Sequence, residues 1–255
     1  MAAQGPVACS CKLTYFPIAG ACEKVRLTFH MCGKEFEDNR IAFKDWSSLK
    51  PSTPYGQIPV LQITYEDGRV HEFAQSGAMV TWVVRNFDTT RKLYPEHDIE
   101  KVTLIEEVRG LSEDMYRAWG PSLYMGMGRH QNFGHPEDWP AKDETVKMLR
   151  EKFLENELPR YCGFLKTHME KNNGGAADQG FLCGSEVTIA DLIWLPQLRY
   201  FQAGIADHVM QNIKLRYYYN EFVLDDKCFC CCAVRRSVAL LISFVTPAFL
   251  IPCRR

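Results

Sequence analysis

The chain has almost no net charge. Its 30 Lys and Arg residues face 31 Asp and Glu, for a formal charge of −1 over 255 residues. A protein built for a polyanion carries a basic excess, so nucleic acid is not expected as the principal partner. Glycine (17) and proline (13) stand at ordinary levels, which excludes collagen-like and low-complexity chains. Residues 238–252 form a mostly apolar stretch that contains Pro247 and falls short of the roughly 20 residues of a membrane span. There is no phosphate-binding Gly-rich loop, no HExxH and no GxSxG nucleophile turn. The opening MAAQGPVACSCK lacks a basic start followed by an apolar stretch, so no signal peptide is expected. Cysteine is not scarce, but the 11 residues are odd in number and irregular in spacing, unlike a secreted disulfide framework. The expected setting is the reducing cytoplasm.

What is present is 46% hydrophobic residue content, enough for a proper core in one or two domains. Residues 12–16 (KLTYF) predict a strand. Cys22, Val25, Phe29 and Cys32 form one helical stripe, with Gly33 where a C-terminal cap belongs. Residues 36–43 alternate weakly, as a second strand. Residues 60–65 and 70–73 predict a hairpin around a two-residue Asp67-Gly68 turn. Ser76 then opens a helix. Beyond a linker at 88–95 the pattern is helical, except for a Gly/Pro/Met-rich stretch at 120–140 that predicts a long loop. Within it, His130 and His135 lack the companions of a metal site and read as solvated loop histidines. Pro159 is expected to kink a helix marked by Leu154, Leu158, Tyr161 and Leu165. Thr188 and Asp191 have the spacing of a capping box, flanked by Val187 and Leu192 as a hydrophobic staple, before a helix apolar on nearly every side.

Four segments then point to a family. Residues 15–26 (YFPIAGACEKVR), 55–61 (YGQIPVL), 73–78 (FAQSGA) and 185–192 (SEVTIADL) occur in order and at plausible separations. Together they resemble the cytosolic glutathione transferases with a tyrosine active site, sigma-like, with the pi class also close. The resemblance implies an α/β plus all-α architecture. A thioredoxin-like domain with βαβ-ββα order is expected over residues 10–87, and an all-helical domain over 96–220. Residues 221–255 form a Cys-rich, apolar tail expected to lie outside the fold, with membrane association of that tail possible but not favoured. The implied assembly is a homodimer.

The chemistry of such a site can be argued from the residues. A free thiol has a pKa of about 8.5, so little of it is thiolate at neutral pH. The phenol of Tyr15 stays protonated there, and a donor stabilises the anion rather than the thiol. Lowering a thiol pKa by about two units takes roughly 2.7 kcal/mol of preferential stabilisation. Ser76, at a helix start, suits a carboxylate. Gln75, by contrast, is not a favoured cap, so its structural reason is weaker. The resemblance gives Gln75 and Ser76 the γ-glutamyl end of glutathione, and Trp46 and Lys50 the glycyl end. It pairs Ile58, before a cis Pro59, with the cysteinyl unit, Gln57 helping. Asp114, beside Glu113, would reach the γ-glutamyl amine from the partner subunit. Phe16, Trp119 and Tyr124 are aromatic candidates for the electrophile pocket. Glutathione is the implied co-substrate and no metal is expected.

One departure is visible. Several tyrosine classes carry an arginine in the turn after the catalytic tyrosine, whereas here the turn reads Ile18-Ala-Gly-Ala21. The expected function is addition of the glutathione thiolate to small hydrophobic electrophiles, with peroxide reduction or prostaglandin-type isomerisation as extensions. Two alternatives stand: a non-catalytic relative with structural or binding duties, and a thiol-disulfide oxidoreductase using Cys22, which sits at a helix start where a thiol pKa can fall.

Overall fold

The computed structural model describes residues 8–140, 142–175 and 180–202. The tail singled out above lies outside the described residues. The chain divides into two units, Met1–Glu96 and His97–Arg255.

The first unit runs β1 (Ala8–Tyr15), α1 (Glu23–Met31), β2 (Glu37–Arg40), α2 (Trp46–Leu49), β3 (Val60–Tyr65), β4 (Val70–Ala74) and α3 (Ser76–Phe87). Its sheet has the order β2-β1-β3-β4, with β1 and β2 parallel and the other neighbours antiparallel. The parallel pair requires the crossover that α1 supplies. Leu13, Leu61 and Ile63 of the sheet are wholly buried, as are Val25 and Phe29 of α1 and Met79, Val80 and Val83 of α3. The helical stripe read from the sequence is therefore the core face. Gly33, at φ +63°, ends α1 as expected, and the Lys34 N–H reaches back to the Phe29 carbonyl at 3.1 Å. The hairpin differs in detail from the expected two-residue turn. Tyr65 N–H bonds the Arg69 carbonyl at 2.9 Å, leaving Glu66, Asp67 and Gly68 as a three-residue loop. Gly68 takes the left-handed position at φ +81°.

The helical unit contains α4 (Ile99–Gly126), α5 (Lys142–Lys152), α6 (Leu158–Asn172) and α7 (Ile189–Gln202), with a π-helical turn over Phe153–Glu157. Helix α4 continues through Pro121, so the loop expected from residue 120 starts only after residue 126. Glycine and proline hid the pattern there, yet Met115, Trp119, Ser122 and Met125 keep one buried face at steps of four, three and three. Pro159 lies in the first turn of α6, directly after the π-helical turn in which the Leu158 N–H bonds the Phe153 carbonyl, so the helix runs through the expected kink site with its bonding shifted by one residue. The two loop histidines are also not simply solvated. His130 is buried with Nε2 at 3.1 Å from the Glu137 carbonyl, and His135 stacks on Trp139 at 3.6 Å between centroids.

The capping box closes α7 with one change from expectation. Asp191 accepts from the Thr188 N–H at 2.8 Å and from the Leu182 N–H at 2.9 Å. The Thr188 hydroxyl donates to the same carboxylate at 3.1 Å instead of serving the helix amides. Burial pushes the Asp191 carboxyl up to about 6 against the pull of these donors. Trp194 follows on α7 and donates its indole N–H to the Val108 carbonyl at 2.8 Å, tying α7 to α4. Among the described residues, no helix is long and apolar enough to cross a membrane.

Candidate active site

Sheet register gathers the first set of expected residues. Thr14 of β1 pairs with Val60 of β3, and Val60 pairs with Ala74 of β4. Tyr15, Pro59 and Gln75 each stand one step beyond that row, on neighbouring strands spaced about 4.8 Å apart. Three segments distant in sequence thus end at one edge of the sheet.

Tyr15 is half-buried and held on several sides. Its carbonyl accepts from the Ile41 N–H at 2.9 Å, and its hydroxyl accepts from the Ala21 N–H at 3.3 Å. That bond uses a lone pair of the hydroxyl oxygen and not its proton. Gly20 makes room for the arrangement. A Cβ at position 20 would lie 2.6 Å from the Tyr15 hydroxyl oxygen, and φ is +46°. Neither Gly20 nor the Ala21 amide was singled out in the sequence, because the contact depends on the turn's path. Phe16 lies beside the Tyr15 ring at 5.6 Å, stacks on Phe43 at 4.5 Å and meets the edge of Trp46 at 5.9 Å. Trp46 opens α2, and Lys50 follows that short helix, exposed.

Ile58–Pro59 is a cis peptide at the entry to β3. Gln57, before it, is extended and accepts a hydrogen bond from the Gln75 side-chain amide at 3.2 Å. The two glutamines, eighteen positions apart, are therefore joined. Gln75 adopts φ +72° and ψ 106°, a strained conformation for a side chain larger than glycine, at the threshold of α3. The Gln75 side chain makes no capping bond, and Ser76 stands half-buried at the first position of the helix. Gln75 is exposed and caps no helix amide with its side chain, so neither packing nor capping accounts for its conformation.

Comparison with known proteins decides the family. A family model described as the glutathione S-transferase C-terminal domain matches residues 138–223. Glutathione S-transferase 1 of Ascaris suum is 30% identical over 207 residues, covering 81% of this chain and 87% of that protein. Glutathione S-transferase 3 of Caenorhabditis elegans is 30% identical over 84% of this chain and 90% of its own length. This chain belongs to the glutathione S-transferase family. The transferase is an enzyme of that type, with the thioredoxin-like first unit and the helical second unit the family resemblance implied. A solved structure of similar form is a glutathione S-transferase from the hookworm Necator americanus, described as monomeric. It has 25% identity and a TM-score of 0.58, over 81% of this chain and 87% of that one.

The remaining expected residues of the transferase all sit on α4 of the helical unit. Asp114 is half-exposed and paired with Arg117 one turn on, and Glu113 lies 3.8 Å from Arg109. Trp119 is buried, with Phe153 at 5.0 Å, Phe201 at 5.1 Å and the Arg150 guanidinium over its ring at 5.8 Å. Tyr124 is half-buried beneath Arg129 at 5.8 Å. Cys22 is wholly buried, and burial pushes its thiol up to about 12. The lowered pKa expected of a thiol at a helix start is reversed by that burial. Among the described residues, no group of three metal-ligating side chains occurs.

Proposed function

We propose that the transferase ionises the glutathione thiol through the Tyr15 hydroxyl and adds the resulting thiolate to small hydrophobic electrophiles. The observation that carries this reading is the convergence of Tyr15, the Ile58–Pro59 peptide and Gln75 at one sheet edge. Tyr15 donates its proton in a hydrogen bond to sulfur while accepting from the Ala21 N–H at 3.3 Å, which strengthens it as a donor. The sulfur attacks an electrophilic carbon, a C–S bond forms, and the leaving group departs with the bonding pair. Where the substrate is an activated alkene, the neighbouring carbon gains the π electron pair and takes a proton from solvent instead. Gln75, Ser76 and the open start of α3 receive the γ-glutamyl carboxylate. Ile58 and Gln57 pair with the cysteinyl unit, and Trp46 and Lys50 take the glycyl end. Phe16, Trp119 and Tyr124 remain the aromatic candidates for the apolar substrate. Peroxide reduction and prostaglandin-type isomerisation use the same thiolate and belong to this reading as extensions.

The reading includes a cytoplasmic homodimer in which Asp114 serves the partner subunit. The free thiols at Cys9, Cys11, Cys22, Cys32, Cys162 and Cys183 are consistent with a reducing compartment. Thiol-disulfide chemistry at Cys22 is disfavoured by its burial and raised pKa. A relative with purely structural duties leaves the strained Gln75 unexplained.

The test is retention on immobilised glutathione, turnover of a chromogenic aryl halide and the ultraviolet thiolate band of the saturated complex. The parent should show all three, and Tyr15→Phe should keep retention while losing the band and most of the turnover. Equal turnover in both proteins would remove Tyr15 from the mechanism.

A further inference from the structure

Arg26 is an anomaly in α1. It lies beside the apolar stripe of Cys22, Val25 and Phe29, and only 4% of its surface is exposed. Burying a guanidinium is costly unless every donor is used and every charge is met. Here its donors converge on the turn that follows Tyr15. Nη1 donates to the Ile18 carbonyl at 2.9 Å, and Nη2 points at the Phe16 carbonyl at 3.5 Å. One planar group thus grips two carbonyls flanking Pro17, a task matched to the rigid fork of arginine. The Ile18 N–H closes the same turn on the Phe16 carbonyl at 2.8 Å. The guanidinium carbon is 6.0 Å from the centroid of the Tyr15 ring.

The fork is itself held. Nη1 also meets Glu23 Oε2 at 3.0 Å, and Nε donates to Asp38 Oδ1 at 3.1 Å. The second oxygen of Asp38 accepts from Arg40 Nε at 2.8 Å, and Arg40 is the register partner of Tyr15 on β2. The chain of contacts closes on the tyrosine from both ends. It runs from the Tyr15 backbone to β2, through Arg40 and Asp38 to Arg26, and back through the turn carbonyls to Tyr15. Two carboxylates against two guanidinium groups leave little net field, so Arg26 acts through geometry more than through long-range charge.

Resting on the tyrosine reading above, we propose that Arg26 is the positioning residue of the thiol-activating tyrosine. By pinning the Phe16 and Ile18 carbonyls it fixes the turn that sets both the Tyr15 ring and the Ala21 N–H. A shift of about 1 Å in a catalytic group can lower a rate by about a hundredfold, so this turn is where precision matters.

The experiment compares the parent with Arg26→Gln, Arg26→Lys and Asp38→Asn. It measures glutathione uptake by calorimetry, the thiolate band, and kcat/KM for a chromogenic aryl halide against pH. Arg26→Gln should retain uptake, raise the apparent pKa of the bound thiol by about one unit and lower kcat near neutrality about tenfold. Arg26→Lys should move the same way, because an ammonium cannot grip both carbonyls. Asp38→Asn, which loosens the fork from a partly exposed partner, should give a smaller shift of the same sign, and it carries the test if Arg26→Gln does not fold. A pH profile identical to the parent's in a folded variant would overturn the proposal, as would complete rescue by lysine. A parent without glutathione uptake or a thiolate band fails the tyrosine reading first, before any variant is compared, and this proposal falls with it.

Discussion

Helices α3 and α7 begin in opposite ways. The start of α7 is closed, with Asp191 inaccessible to solvent and filled by the Thr188 and Leu182 amides and the Thr188 hydroxyl. The start of α3 is open, with Gln75 exposed at φ +72° and no side-chain cap. At α7 the buried carboxylate is occupied by donors of the segment that leads into the helix, which makes it a structural joint. At α3 the strained residue is exposed and its side chain makes no capping bond, which under the proposed function leaves that helix start to the γ-glutamyl carboxylate. The contrast extends to each unit: the α/β unit carries its polar candidates on strand ends and turns, whereas the helical unit spends its sharpest sequence motif on its core.

The largest effect that tests this contrast belongs to the open corner. Tyr15→Phe should lower kcat for aryl halide conjugation about a hundredfold and raise the bound thiol pKa by about two units, with glutathione uptake within a few-fold of the parent. Stopped-flow turnover and the ultraviolet thiolate band read it. At the closed end, Asp191→Ala should instead remove about 3 kcal/mol of unfolding free energy, because buried donors lose their acceptor. Urea unfolding measures the loss, and the pH profile of the protein that remains folded should match the parent's. A changed pH profile there would blur the division between joint and site.

Gln75→Gly sharpens the comparison from the other side. Relief of the positive φ should add up to about 1 kcal/mol of stability, while KM for glutathione rises about tenfold. A stability gain without loss of affinity would detach the strain from ligand binding. A smaller effect concerns pH. The folded-state carboxyl of Asp191, at about 6, lies above its unfolded value, so the folded state holds the proton longer. Its contribution to stability is therefore present at the acid end and is lost as pH rises from about 4 to about 6. Unfolding curves of the parent and Asp191→Asn should diverge toward acid pH, and a constant difference would show that the proton is not coupled to folding. The smallest effect is expected at Cys22→Ala, with conjugation within about twofold of the parent, as suits a packed thiol held near 12.

Much of this organisation was legible in the residues. The 60–65 strand and the Ser76 helix start coincide with the structure, and the stripe through Val25 and Phe29 is the core face. Those features are local, set by periods of two and 3.6 and by turn chemistry. The boundary expected at residue 120 rested on the weak helical preference of glycine and proline, which tertiary packing of Trp119 and Met125 overrode. Arg26 was missed for a different reason. In sequence it is one more charged residue on an amphipathic helix, and only the turn it grips distinguishes it.

By itself, the sequence determined the elements, their order and the chemical types available at the corner, because backbone preference and side-chain chemistry are carried residue by residue. The tertiary structure decided which of those groups meet. Strand register set Tyr15 beside Pro59 and Gln75, and the turn after β1 brought the Ala21 amide to the phenol. Burial raised the Cys22 thiol that its helix position alone would have lowered. Such outcomes depend on distance and dielectric between segments far apart in the chain, and neither quantity is written in any single stretch of it.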